Sequence, residues 1–216
     1  MRIGITSKNL ALSMALLALC QASAALASPS SADPVQAAPA PAAAPPARPK
    51  PPLVAPNFRV PMLVEAETFQ LAPLGPPLVK IDFDAYMSSI EHLQKTFTRS
   101  TDWPRADLTD ADAMLDMQTE QARFQRRESF AYAVLTLDGG RERGSVYVSP
   151  SPVAGYDAVV RLWVTKAEYD AGFDAELYAW VTSWVKKEWP FKKVAYPGRA
   201  IEWAAWDAMV AAKAAK

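Results

Sequence analysis

Cysteine is almost missing from this sequence of 216 residues: Cys20 is the only one, and it lies in an N-terminal apolar stretch. A chain trimmed beyond that stretch can form no disulfide and perform no thiol chemistry, so its stability must come from core packing. Histidine is equally scarce. His92 stands alone, and one imidazole without cysteine partners cannot build a zinc site of the common kinds, so no metal is expected. Charge imbalance is lacking as well, since 23 basic residues meet 23 acidic ones. No global field then attracts nucleic acid or an anionic membrane. The sequence contains no internal repeat and no GxSxG nucleophile signature.

What is present begins with a leader. Arg2 and Lys8 give a weakly basic start, LALSMALLAL (residues 10–19) is apolar, and Ala25-Leu26-Ala27 before Ser28 is a small-x-small cleavage site. Residues 1–27 therefore read as a secretory signal peptide, which implies an exported protein, periplasmic or secreted, with no transmembrane segment after cleavage. The apolar stretch is too short to span a bilayer comfortably. Residues 28–56 are almost entirely Pro, Ala and Ser without apolar periodicity, and read as an extended tether. The folded domain is expected over residues 57–216. With half of the chain hydrophobic, that length suits one core.

Within the domain, VEAETFQLAPL (residues 64–74) predicts a first strand closed by the Gly75-Pro76-Pro77 turn. Tyr86, Ile90, Leu93 and Phe97 fall at helical spacing behind Asp84 as N-cap, giving a first helix. A second helix starts at Thr109, three residues before Asp112 in the manner of a capping box, and runs to about Arg127. Its apolar side is expected to be Ala111, Met114, Leu115 and Ala122. SFAYAVLTLD and RGSVYVSP flank an Asp138-Gly139-Gly140 hairpin turn, and the first of these strands is apolar on both faces, so it should be central. AVVRLWV (158–164) is a further strand. A helix from about Asp174 to Trp189 carries Leu177, Val181, Trp184 and Val185 inward, VAY (194–196) makes a short strand, and residues 201–216 form a last helix. Trp203 and Trp206 lie on one side of it. The order predicts an α/β (α+β) layered domain.

That order, with VEAETFQLAPL and VVRLWVTKAEYDAGFDAELYAWV as its local likeness, resembles the GNAT superfamily of acyl-CoA N-acyltransferases. The resemblance implies a mixed, largely antiparallel sheet flanked by helices, and acetyl-CoA or another acyl-CoA as cofactor. It implies that the amides of Gly172 and Phe173 hold the cofactor phosphates, that the amides near Trp163 and Val164 hold the thioester arm, and that Glu128 or Asp157 serves as base. The loop between the first two helices would border the acceptor, with Trp103 and Arg105 gripping a small-molecule ligand.

The sequence departs from the family's pattern in four places. With Gly172 as the central glycine of the phosphate loop, Tyr169 stands where Arg or Gln is usual and Asp174 where Gly or Ala is usual. Asp170, Asp174 and Glu176 would repel a pyrophosphate, although they also complement the helix dipole. Arg161 occupies the strand position of the usual general-base glutamate, and the closing strands with their tyrosine have no counterpart. Two functions stay open: an exported acyl-CoA-dependent N-acyltransferase, or a non-catalytic envelope module that binds a ligand or protein in the old groove. Outside the motif, His92 reads as a solvated helix-face residue with proton transfer as its alternative role. Trp103 reads either as a loop plug or as a ligand contact.

Overall fold

The computed structural model describes residues 50–214, so the expected leader and most of the expected tether lie outside the described residues. Six strands make one sheet in the spatial order β1 (Val64–Glu65), β2 (Gln70–Pro73), β3 (Phe130–Leu135), β4 (Glu142–Pro150), β5 (Ala158–Val164) and β6 (Val194–Ala195). All neighbours are antiparallel except β5 and β6. Helices α1 (Val79–Met87), α2 (Ile90–Leu93) and α3 (Asp110–Gln125) cover one face. Helix α5 (Phe173–Glu188) covers the other, behind the short α4 (Lys166–Asp170), and α6 (Trp203–Ala214) packs at the β5–β6 end. Among the described residues no helix is long and apolar enough to cross a membrane.

Strand β3 is buried at every position, as its two apolar faces require. Phe130, Tyr132 and Val134 point to α5, whose Leu177, Val181, Trp184 and Val185 interlock with them. Trp184 meets Tyr132 edge-on at 5.6 Å, and Trp189 packs on Phe130 at 5.0 Å. Trp206 is buried on Val159 and Ala195 beside Trp203, so the last helix seals the sheet end as its spacing suggested.

Several local expectations need correction. The first strand is broken in two, because Ala66 N–H turns back to the Phe69 carbonyl and sends Phe69 into the core. The first helix starts earlier, after a tight turn over Pro76–Leu78, so Asp84 lies inside α1 and pairs with Lys80 instead of capping. Ser89 then interrupts the helix, and α2 continues into a wide turn over Gln94–Thr98. The capping box at Thr109 and Asp112 forms, yet the buried stripe of α3 is Ala113, Met117 and Phe124, with Leu115 exposed. Packing also begins before Asn57: Val54 is buried, Leu53 N–H donates to the Arg127 carbonyl, and Arg127 reaches back to the carbonyls of Ala55 and Phe58.

Candidate functional site

The site arises where β5 loses its partner. Strand β6 pairs with it only at Ala158↔Val194 and Val159↔Ala195, whereas β5 runs on to Val164. Beyond that point the chain turns away at Pro197–Gly198. Gly198 is required there, with φ +73° and so little space that a Cβ would lie 2.4 Å from the Trp203 ring. The parted strands leave a wedge of about 260 Å³ lined by β5 from Val160 to Val164, by Tyr196 to Arg199, and by His92, Lys95 and Asp174. Openings at the carboxyl ends of adjacent parallel strands are common ligand sites in α/β sheets.

The edge of β5 supplies hydrogen-bonding groups to this wedge. Thr165 N–H donates to the Arg143 carbonyl on the β4 side, and alternation along an antiparallel ladder sends Trp163 the same way. Leu162 and Val164 therefore direct their amides to the open edge. Of the two residues expected to hold a thioester arm, Val164 turns its amide toward the wedge. Trp163 lines the wedge, but its amide belongs to the sheet and its indole N–H donates to the Tyr147 hydroxyl.

The acids that the sequence places at the start of α5 are matched by cations from elsewhere in the fold. Arg199 grips Asp174 through both nitrogens at 2.5 and 2.6 Å, Lys166 pairs with Asp170, and Glu176 accepts from Thr68. Glu168 is buried but held by Arg143 and Arg141, and its carboxyl lies below the usual range. The lining of the wedge is consequently net cationic, with Lys95, Arg161 and Arg199 against Asp174. Gly172, at φ +83°, opens α5 but donates its amide to the Tyr169 carbonyl and does not line the wedge, and the Phe173 ring is buried on Phe69 beneath the Arg143 guanidinium, so the pair expected to hold phosphates does not present that site. His92 is no solvated bystander. It lines the wedge 4.8 Å from the Tyr169 ring, and burial, then the Lys166 charge, lowers its pKa.

A second cavity, about 460 Å³, lies on the helix-covered face between α3 and the β4–β5 ladder. Phe97, Trp103, Asp116, Glu120, Tyr147, Arg161 and Trp206 border it. Trp103 packs between Tyr86 and Trp163, as a loop plug does, and also lines this groove. Arg105 does not join it, being exposed and paired with Asp107. Glu128 and Asp157 line neither cavity. Glu128 is held below its ordinary pKa by Arg126, and Asp157 is lowered by the Lys193 and Lys192 amides that it accepts from. The carboxylates that do border the groove come from α3, and loss of water raises both Asp116 and Glu120. Helical spacing alone could not have singled them out, because they lie on the side of α3 taken for solvent.

No protein-family profile matches this chain. No curated protein matches it either. Solved structures do. A ribosomal-protein-S5-alanine acetyltransferase from Vibrio fischeri superposes with a TM-score of 0.51 at 13% identity, covering 69% of this chain and 82% of that one. A provisionally assigned ribosomal-protein-serine acetyltransferase from Vibrio cholerae gives 0.50 at 12% identity over 66% and 75%. A provisionally assigned GnaT-family acetyltransferase from Bordetella pertussis gives 0.47 at 17% identity over 63% and 78%. With its largely antiparallel sheet and flanking helices, the chain has a GNAT-like fold, shared with the two Vibrio acetyltransferases.

Proposed function

We propose that this protein is an acyl-CoA-dependent N-acyltransferase, with the acyl donor in the wedge and an amine acceptor in the groove. The observation that carries the reading is the shared wall: Phe97 and Arg161 border both cavities, so a donor and an acceptor would meet across one strand. The residues fit such a donor. Leu162 and Val164 offer strand-edge amides along which an extended arm can lie, as an added strand does, with the His92 ring held at the Val164 backbone. Lys95 and Arg199 offer charge to its phosphates. When bound, the cofactor supplies an activated acyl thioester. Asp116, an exposed residue, and Glu120 draw the acceptor ammonium into the groove, and burial, which raises the Glu120 carboxyl, suits that group to take the proton. Trp203 borders the wedge and Trp206 the groove. Transfer would form the amide bond as the thioester carbon–sulfur bond breaks, with a proton left on the attacking amine passing to the released thiol.

Calorimetric titration of the full chain with acetyl-CoA and with CoA tests this. Micromolar binding is expected, weakened about tenfold by Arg199→Ala. No heat up to millimolar ligand sinks the proposal. One observation favours a second reading, a non-catalytic binding module: the Arg199–Asp174 clasp occupies the α5 N-terminus, where the family holds its phosphates. Under that reading the titration stays flat with wild type and with Asp174→Asn alike. Export through residues 1–27 is part of the proposal, and fractionation of producing cells, finding the mature chain outside the cytosol, is its test.

A further inference from the structure

Arg161 is the one polar residue in a strand otherwise made of Ala, Val, Leu and Trp. Its guanidinium stacks 4.2 Å from the Phe97 ring centre and lies 5.7 Å from that of Trp203, and one terminal nitrogen donates to the Phe97 carbonyl. The Nε is wholly buried and has no partner. Among the described residues no carboxylate forms an ion pair with it, and the charged side chain that acts on it, Arg99, has the same sign. A desolvated cation without a counter-charge is costly to keep, and a fold tolerates it where a ligand supplies the missing anion.

The groove that Arg161 enters has the opposite character at its other end. Asp116 and Glu120 stand there on α3, with Tyr147 between them and the arginine. Glu120 is answered by Arg123, but Asp116 has no ion-pair partner among the described residues. A phosphate dianion would meet these acids, and a plain amine would leave the guanidinium unanswered. One molecule satisfies both ends.

We infer that the groove binds a zwitterion, a small molecule carrying an ammonium for Asp116 and a carboxylate for the fork of Arg161. The inference deepens the acyltransferase reading by naming its acceptor class. It rests on that reading only for the statement that the ammonium nitrogen receives the acyl group; the binding itself requires no donor.

The test titrates the full chain, without CoA, with straight-chain amino acids bearing a terminal amine, from glycine to aminooctanoate. Each is compared with the alkylamine and the carboxylic acid of matching length. One length is expected to bind at least about tenfold more tightly than both singly charged analogues. Arg161→Gln should remove that advantage and the binding of the acid while leaving the alkylamine unchanged; Asp116→Asn should do the reverse. Arg161→Lys, which keeps charge but loses the fork, should fall between wild type and Arg161→Gln, and thermal melts verify that each variant is folded. Equal affinity for zwitterion and singly charged analogues at every length, or unchanged binding in folded Arg161→Gln, overturns the inference. A zwitterion that binds but is not acylated in the presence of acetyl-CoA supports the inference and sinks the acyltransferase reading. Acylation of alkylamines alone, with no zwitterion bound, does the opposite.

Discussion

The two faces of the sheet are built on different principles. The face toward α5 is dry: Phe69, Phe130, Tyr132, Val146, Val148, Leu177, Trp184 and Trp189 fill it with apolar and aromatic volume. The face toward α1 and α3 places polar groups against the same strands, with Asp82, Glu142 and Ser145 buried and Tyr147 and Arg161 beside a cavity. Ser145 donates to Glu142 at 2.7 Å, and Asp82 shares a hydrogen bond with the same carboxyl. Dry packing stabilises, whereas buried charge seldom does. The difference teaches that the first face holds the fold, while the second carries the polar groups on which the proposed chemistry rests.

The contrast can be broken most forcefully on the dry side. Leu177→Ala, at a fully buried position, should cost about 4 kcal/mol in urea unfolding, and a loss under about 1 kcal/mol would deny that this face carries the stability. The polar side should reveal itself through pH. Burial pushes the Asp82 carboxyl up to about 7, and burial with the Asp82 charge pushes Glu142 above its usual range. The folded state then binds more protons than the unfolded state. Stability is therefore full below about pH 4 and is lost as pH rises through about 7, by roughly 4 kcal/mol from Asp82 alone. Melting across that window should show the decline, and Asp82→Asn should flatten it.

A third substitution sharpens the comparison by reversing its sign. Replacing Arg161 with Leu removes a desolvated cation, so the protein should gain about 1 kcal/mol while losing its groove ligand. A measured loss of stability would place Arg161 among the structural residues. The smallest effect belongs to neither face: Thr109→Ala removes one side of the α3 capping box and should cost about 0.5–1 kcal/mol, readable as a small shift in the same melts.

Local signals in the sequence were sound guides where one residue decides the structure. The capping box, the Asp138–Gly140 turn, the doubly apolar β3 and the inward row of α5 are all legible because each depends on spacing within a single element. Face selection on α3 was not, since Met117 and Phe124 are chosen by the sheet they meet and not by a clean period. The site was legible in part. The strand, loop and helix around Gly172 could be read, but the acids there were judged without Arg199, whose arrival depends on the turn at Gly198. Glu128 and Asp157 looked free in the sequence because Arg126 and the amides after Phe191 become their partners only in the fold. His92 gave no signal at all, as nothing in its neighbours shows that α2 would face the end of β5.

The partition formed by Phe97, Arg161 and Trp203 has one more consequence. A single guanidinium stacked between two rings stands at the boundary of the wedge and the groove, so occupants of the two cavities would be thermodynamically linked. An anion drawing Arg161 toward the groove would change the field and the room on the wedge side, and a wedge occupant would shift affinity in the groove by an equal factor. Order of arrival would then leave the total binding free energy unchanged, while anions measured alone in either cavity would overstate how firmly the pair is held.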